Sequence, residues 1–155
     1  SYTGLRIGVS TAKGLCYPLN IPLIAIDSLK ALSEIARIQH PNTNLCPLID
    51  ARRMEVFNAI YCEKGEQIKP ISADIIEETT YSAFEPFVYF GDGADKLQEI
   101  WKDRNCIIDS SILSSAKGQV SVAYKKFLAQ DYEDVAYFEP FYLKDFVAGK
   151  KVNQG

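Results

Sequence analysis

The sequence is poor in histidine, methionine and tryptophan. It has one histidine, His40, one methionine and one tryptophan in 155 residues. No HExxH pattern occurs, and the four cysteines, Cys16, Cys46, Cys62 and Cys106, never form a CxxC pair. A structural zinc site therefore has no ligand set in the pattern, and a serine or cysteine nucleophile would have only a loop histidine as its base. Basic residues are not in excess: 17 Lys and Arg against 20 Asp and Glu give a net charge of −3 and a pI of about 5.2. A free-standing nucleic-acid binder would carry a basic stripe, so any service to RNA is expected to run through a partner. No apolar run approaches the ~20 residues that span a bilayer, and no signal peptide is visible. Scattered thiols fit a reducing compartment, so the expectation is a soluble cytoplasmic protein. Repeats, low-complexity blocks, GxxxxGK[ST] and GxGxxG are all missing.

What is present is a core-forming chain, 47% hydrophobic, in which helical and extended patterns alternate. A helix is expected over 3–17, with Thr3 as N-cap and Pro18 as its stop. A short strand is expected over 21–26. A second helix, capped by Asp27 or Ser28, carries Leu29, Leu32, Ile35 and Ala36 at helical spacing. The loop from His40 to Asn44 marks a lobe boundary. Strands are then expected over 45–49 and 55–62, joined by a charged turn at 50–54, with a third over 67–71 and a short helix over 73–83. A strand over 87–90 leads through Gly91-Asp92-Gly93 into a helix carrying Leu97, Ile100 and Trp101. A strand over 106–108 follows. A long helix over 114–129 is expected to turn Val120, Ala123, Tyr124, Phe127 and Leu128 inward. From 136 the chain reads as an extended tail, ending in a polar segment with a disordered composition. This mixture predicts an α/β or α+β fold.

Three local patterns are candidates for function. Gly4, Gly8, Ala12 and Cys16 recur every four residues on the first helix, with Leu5 and Val9 beside them. Mid-helix glycine is unfavourable by roughly 1 kcal/mol relative to alanine, so such a stripe implies close approach of another backbone. Spacing alone leaves open whether that backbone belongs to the same domain or to another subunit. Gly91-Asp92-Gly93 follows a strand and opens a helix, which suits a phosphate or ribose, or equally a tight turn. Asp50-Ala51-Arg52-Arg53-Met54-Glu55 either presents Asp50 and an arginine to a ligand or is a solvated hairpin. The Glu77-Glu78 pair and the acids at 131–134 read as solvated charge.

In order, these segments resemble a known family. Ser1-Tyr2-Thr3-Gly4-Leu5-Arg6-Ile7-Gly8 is similar to the end of a GPGSFTGLRIG signature. Ala12-Lys13-Gly14-Leu15, Ile21-Pro22-Leu23 and Ser28-Leu29 follow it. Leu48-Ile49-Asp50-Ala51-Arg52-Arg53 with Glu55-Val56-Phe57 resembles IDARRGEVY, and Gly91-Asp92-Gly93-Ala94 and Tyr142-Leu143-Lys144-Asp145-Phe146 complete the series. The family is TsaB, also called YeaZ.

The resemblance implies an actin-like, Hsp70-like (ribonuclease H-like) fold from which the N-terminal strands and first long helix are missing. Residues 1–43 are then the remaining part of an N-terminal lobe, 44–135 a C-terminal lobe and 136–155 a tail. It implies a non-catalytic accessory subunit, without cofactor or metal, that binds a TsaD-type transferase. That transferase modifies tRNA next to the anticodon with a threonylcarbamoyl group. A TsaE-type ATPase and tRNA are reached through the complex, and a homodimer is expected when the chain is alone. The partner interface would be Thr3, Gly4, Leu5, Gly8, Val9, Ala12 and Cys16. Gly91, Asp92 and Gly93 would be a vestige of a nucleotide turn. Two other readings exist, an actin-like ATPase or kinase and a glycoprotease-like hydrolase, and the lone histidine gives the latter no support.

Overall fold

The computed structural model describes residues 2–144. The expected disordered end and the Asp145-Phe146 part of the last motif lie outside them. The chain divides into two compact units, one of residues 1–23 with 133–155 and one of residues 24–132.

The first unit is built on α1 (Tyr2–Leu19). The helix begins before Thr3, so Thr3 lies within it rather than capping it, and Pro18 sits inside the last turn. Ile21 N donates to Cys16 O at 3.1 Å, closing the helix end. The strand expected over 21–26 does not form. Its one ladder contact is the isolated bridge Leu23 to Glu133, because Pro22 has no N–H to give and no strand lies alongside.

The second unit is a five-stranded sheet of order β3-β2-β1-β4-β5. Its strands are β1 (Asn44–Asp50), β2 (Glu55–Tyr61), β3 (Gln67–Ile75), β4 (Phe87–Phe90) and β5 (Cys106–Asp109). The β1–β2 and β2–β3 pairs are antiparallel, while β4 joins β1 and β5 joins β4 in parallel. The fold is therefore α/β, as the mixed pattern predicts. Strand β3 runs to Ile75, where a helix over 73–83 is expected from sequence. Pairing of Ile75 with Glu55 and of Ala73 with Phe57 keeps the segment extended, and ladder pairing overrides weak local propensity.

One layer of the core gathers Cys46, Leu48, Val56, Ile60, Phe87, Tyr89, Leu97 and Trp101. Trp101, on the short helix α3 (Gln98–Trp101), meets Phe87, Tyr89 and Tyr81 edge-on at 5.6, 5.0 and 5.9 Å between ring centroids. In a second cluster, α2 (Ser28–Gln39) sets Leu32 and Ala36 against Leu45, Val88, Phe90 and Ile112.

The final helix departs most from expectation. A 3-10 turn (Ala116–Gln119) leads into α4 (Val120–Leu128), but Val120, Tyr124, Phe127 and Leu128 are all exposed. The segment is held to α2 by its small and polar residues instead. Gly118 lies so close that a Cβ there would be 2.0 Å from Ala31 O, and Ser121 Oγ donates to Glu34 at 3.3 Å.

A candidate partner-binding face on the first helix

The C-terminal segment of the first unit crosses one side of α1. Lys13 Nζ donates to Ala136 O and Phe138 O at 3.0 and 3.1 Å. Tyr2 OH donates to Lys144 O at 2.6 Å and its ring stacks on Tyr142. The Arg6 guanidinium lies over that same Tyr142 ring. These contacts order a helix that shows little amphipathic burial: Cys16 is the one residue of α1 that is buried among those described, with its thiol 3.7 Å from Pro22 O. Val9 and Ala12 are half-buried.

The rest of the sequence-predicted stripe faces outward. Thr3, Gly4, Leu5 and Gly8 are exposed, and among the described residues nothing beyond the helix's own backbone lies within 4 Å of where a Gly8 Cβ would stand. Ile7, Leu15 and Leu19 of the same helix are exposed as well, at 62%, 56% and 63%. Exposed glycine and large aliphatic residues thus occur together along α1, where a second backbone can come close while aliphatic side chains lose contact with water.

The Gly91-Asp92-Gly93 turn is placed against β1. Gly91 has φ of 100°, and a Cβ there would stand 2.3 Å from Leu48 O. Gly93 N donates to Leu48 O and Ala94 N to Gly91 O, at 3.2 and 3.0 Å, while Asp92 Oδ1 accepts from Asp50 N at 3.0 Å. Packing on β1 by itself requires glycine at position 91 and leaves little room for a Cβ at position 93, and the Gly93 and Ala94 N–H groups are taken by the chain's own carbonyls.

His40 pairs with Asp109, Nε2 to Oδ2, at 2.8 Å. Hydrogen bonds from Ser111 and then from His40 hold the Asp109 carboxyl below its ordinary range. Among the described residues, no three His, Cys, Asp or Glu come together as a metal-binding group, and no helix is long and apolar enough to cross a membrane.

Two polar arrangements escape the sequence reading. Lys96 bridges the Asp50 carboxylate and Glu55 O beneath the β1–β2 turn, and this contact is first among the causes that lower the Asp50 pKa. On the sheet, Asp74 Oδ2 accepts from Asn58, Ser72 and Tyr81 at 3.0, 2.9 and 2.8 Å and pairs with Lys69 at 2.9 Å. A sequence signal existed: Ser72 and Asp74 alternate on one strand face, and Asn58 interrupts an apolar strand. Seeing the cluster, however, requires the register that sets Asn58 opposite Ser72.

Residues 1–151 match the family model described as TsaD: tRNA N6-adenosine threonylcarbamoyltransferase. The tRNA threonylcarbamoyladenosine biosynthesis protein TsaB of Escherichia coli (strain K12) is 27% identical over 98% of the chain, which spans 70% of that protein. The protein of the same name from Bacillus subtilis (strain 168) is 42% identical over 45% of the chain and 31% of its own length. A crystal structure from Pseudomonas aeruginosa, of a protein with similarity to peptidase YEAZ, superposes with a TM-score of 0.75. It is 24% identical and covers 93% of the chain and 69% of its own, a likeness of fold. The chain therefore belongs to the TsaB/YeaZ family, within the wider family that the TsaD model describes.

Proposed function

We propose that this chain is a non-catalytic accessory subunit in the biosynthesis of threonylcarbamoyladenosine in tRNA. It binds a TsaD-type transferase through the exposed face of α1. The observation that carries this reading is Gly8: the residue is unfavourable in a helix, no described residue beyond its own helix backbone comes within 4 Å of its Cβ position, and the same helix leaves Ile7, Leu15 and Leu19 exposed. Thr3, Gly4, Leu5, Gly8 and Val9 form the contact, with Ala12 at its margin. Cys16 is turned inward and supports the face from behind. In the absence of the transferase the same face pairs two copies of the chain. A TsaE-type ATPase and tRNA are met through the complex, in the cytoplasm.

The names of the relatives, which refer to tRNA threonylcarbamoyladenosine biosynthesis, support the pathway. The occupied His40 and the packed Gly91-Asp92-Gly93 turn support an accessory rather than catalytic role. An actin-like fold is part of the same reading. It assigns residues 1–43 to an N-terminal lobe, 44–135 to a C-terminal lobe and 136–155 to a tail, whereas the compact units divide at residues 23 and 132.

The test is light scattering after size exclusion, with the transferase of the same organism, on wild type and Gly8→Leu. The expected result is a heteromer that the leucine abolishes without change in the circular dichroism spectrum. An equally stable heteromer with leucine at position 8 would move the interface elsewhere. Absence of any heteromer with the wild-type chain would defeat the accessory reading.

A further inference from the structure

The tip of the β1–β2 hairpin holds two adjacent arginines, Arg52 and Arg53, with φ of 73° and 50°. Left-handed backbone is disfavoured for any residue with a Cβ, and tight turns normally place Gly, Asn or Asp there. The remaining non-glycine residues of positive φ among those described are Asn20, Tyr81 and Gln130. Asn20 and Gln130 follow helix ends and Tyr81 is buried. Arg52 and Arg53 alone are neighbours, and both are exposed.

The tip is held from beneath. Arg52 N donates to Asp50 Oδ1 at 3.2 Å, and Ala51 N and Glu55 N close the turn at 3.1 Å each. Asp50 is paired with Lys96 and also feels the Arg52 charge, and Asp92 accepts the Asp50 N–H. Neither guanidinium has an ion pair or side-chain hydrogen bond among the described residues. A local rule of turn chemistry is thus broken to display two cations on a fixed base. Such departures concentrate where a ligand is held.

We infer that Arg52 and Arg53 are a contact for the phosphodiester backbone of RNA in the assembled complex, an inference that rests on the accessory reading above. RNA is the polyanion named in the relatives' descriptions. With a net charge of −3 the chain carries no overall basic excess, so the contact inferred is a local one, and two guanidinium forks match phosphate oxygens geometrically.

The test uses the complex with the transferase, assembled first and verified by light scattering, and measures retention of an unmodified tRNA transcript on filters across a salt series. The chain is compared as wild type, as Arg52→Asn with Arg53→Asn, and as Arg52→Lys with Arg53→Lys. Asparagine tolerates left-handed backbone, so the first variant keeps its melting temperature and its place in the complex. It is expected to bind tRNA about tenfold more weakly at low salt, with the slope of log affinity against log salt reduced by about 1–2. The lysine pair keeps the charges and recovers most of the slope. Unchanged affinity and slope in the asparagine variant overturn the inference and leave the accessory reading standing. So does loss of the transferase instead of the RNA, which would make the tip a protein contact. If the wild-type chain fails to join the transferase, the accessory reading fails and this inference falls with it.

Discussion

The Tyr81 hydroxyl donates to Asp74 Oδ2 at 2.8 Å from a residue held in left-handed backbone, φ 67°. Burial opposes ionisation of that carboxyl, but hydrogen bonds from Lys69, Tyr81, Asn58 and Ser72 outweigh it. They bring its pKa from 3.8 to about 2. The folded state thus holds the carboxylate more tightly than the unfolded chain does. The resulting stabilisation is complete above pH 3.8 and is lost as pH falls toward 2. Urea midpoints taken between pH 5 and pH 2 are expected to fall more steeply in wild type than in Asp74→Asn. At pH 7 that variant is expected to be less stable by about 1–3 kcal/mol. Parallel midpoints over the range would exclude this role for Asp74.

Gly118 and Gly8 are expected to respond in opposite directions to alanine. At Gly118 the new methyl would meet Ala31 O and Ile35, so α2 and the 3-10 turn must separate at a cost of about 1–3 kcal/mol. At Gly8 no described residue is in the way, and replacing a mid-helix glycine gains up to about 1 kcal/mol. Thermal denaturation of the two single variants distinguishes the cases. A stabilised Gly118→Ala would mean that the helix and turn do not meet as described.

Trp101, the sole tryptophan, is 1% exposed and ringed by aromatic side chains. Its emission is therefore expected to be blue-shifted and to report unfolding of the sheet unit. Trp101→Ala is expected to cost about 3–5 kcal/mol in chemical denaturation. Native emission at the wavelength of free tryptophan would contradict the packing.

The thiols should label at separate rates. Burial pushes the Cys46 thiol up, and burial likewise raises that of Cys106, which leaves little thiolate at mild alkaline pH. With Ellman's reagent at pH 8, Cys46 is expected to stay silent until denaturant is added and Cys106 to react slowly. Four fast equivalents from the native protein would refute this.

Much of the sheet is legible in the sequence because its strands are apolar runs bounded by turn residues. Asn44–Asp50, Glu55–Tyr61 and Phe87–Phe90 fall within a residue or two of expectation. The second helix is equally plain, since Leu29, Leu32 and Ala36 all turn inward. The failures occur where a partner element decides the outcome. Residues 73–75 are extended because β2 offers a ladder, and residues 21–26 are not because nothing does. The apolar period of α4 is real, but periodicity says only which residues share a face. Gly118 and Ser121, small or polar, are what meet α2. At the candidate site the glycine stripe can be read from spacing, but its openness to solvent cannot.

The strand order also bears on how the sheet forms. Pairing β1 with β2 requires closure of only the short turn over 51–54, and β3 follows through another short turn, so these three strands can form a meander early. Strand β4 must then find β1 in parallel, with Asn44 beside Phe87. That step closes a loop of some forty residues before any of its contacts is made. Non-local pairing of this kind slows folding. Of the strand edges that end up paired, the far edge of β1 therefore waits longest for its native neighbour, and crowded refolding is most prone to mispairing there.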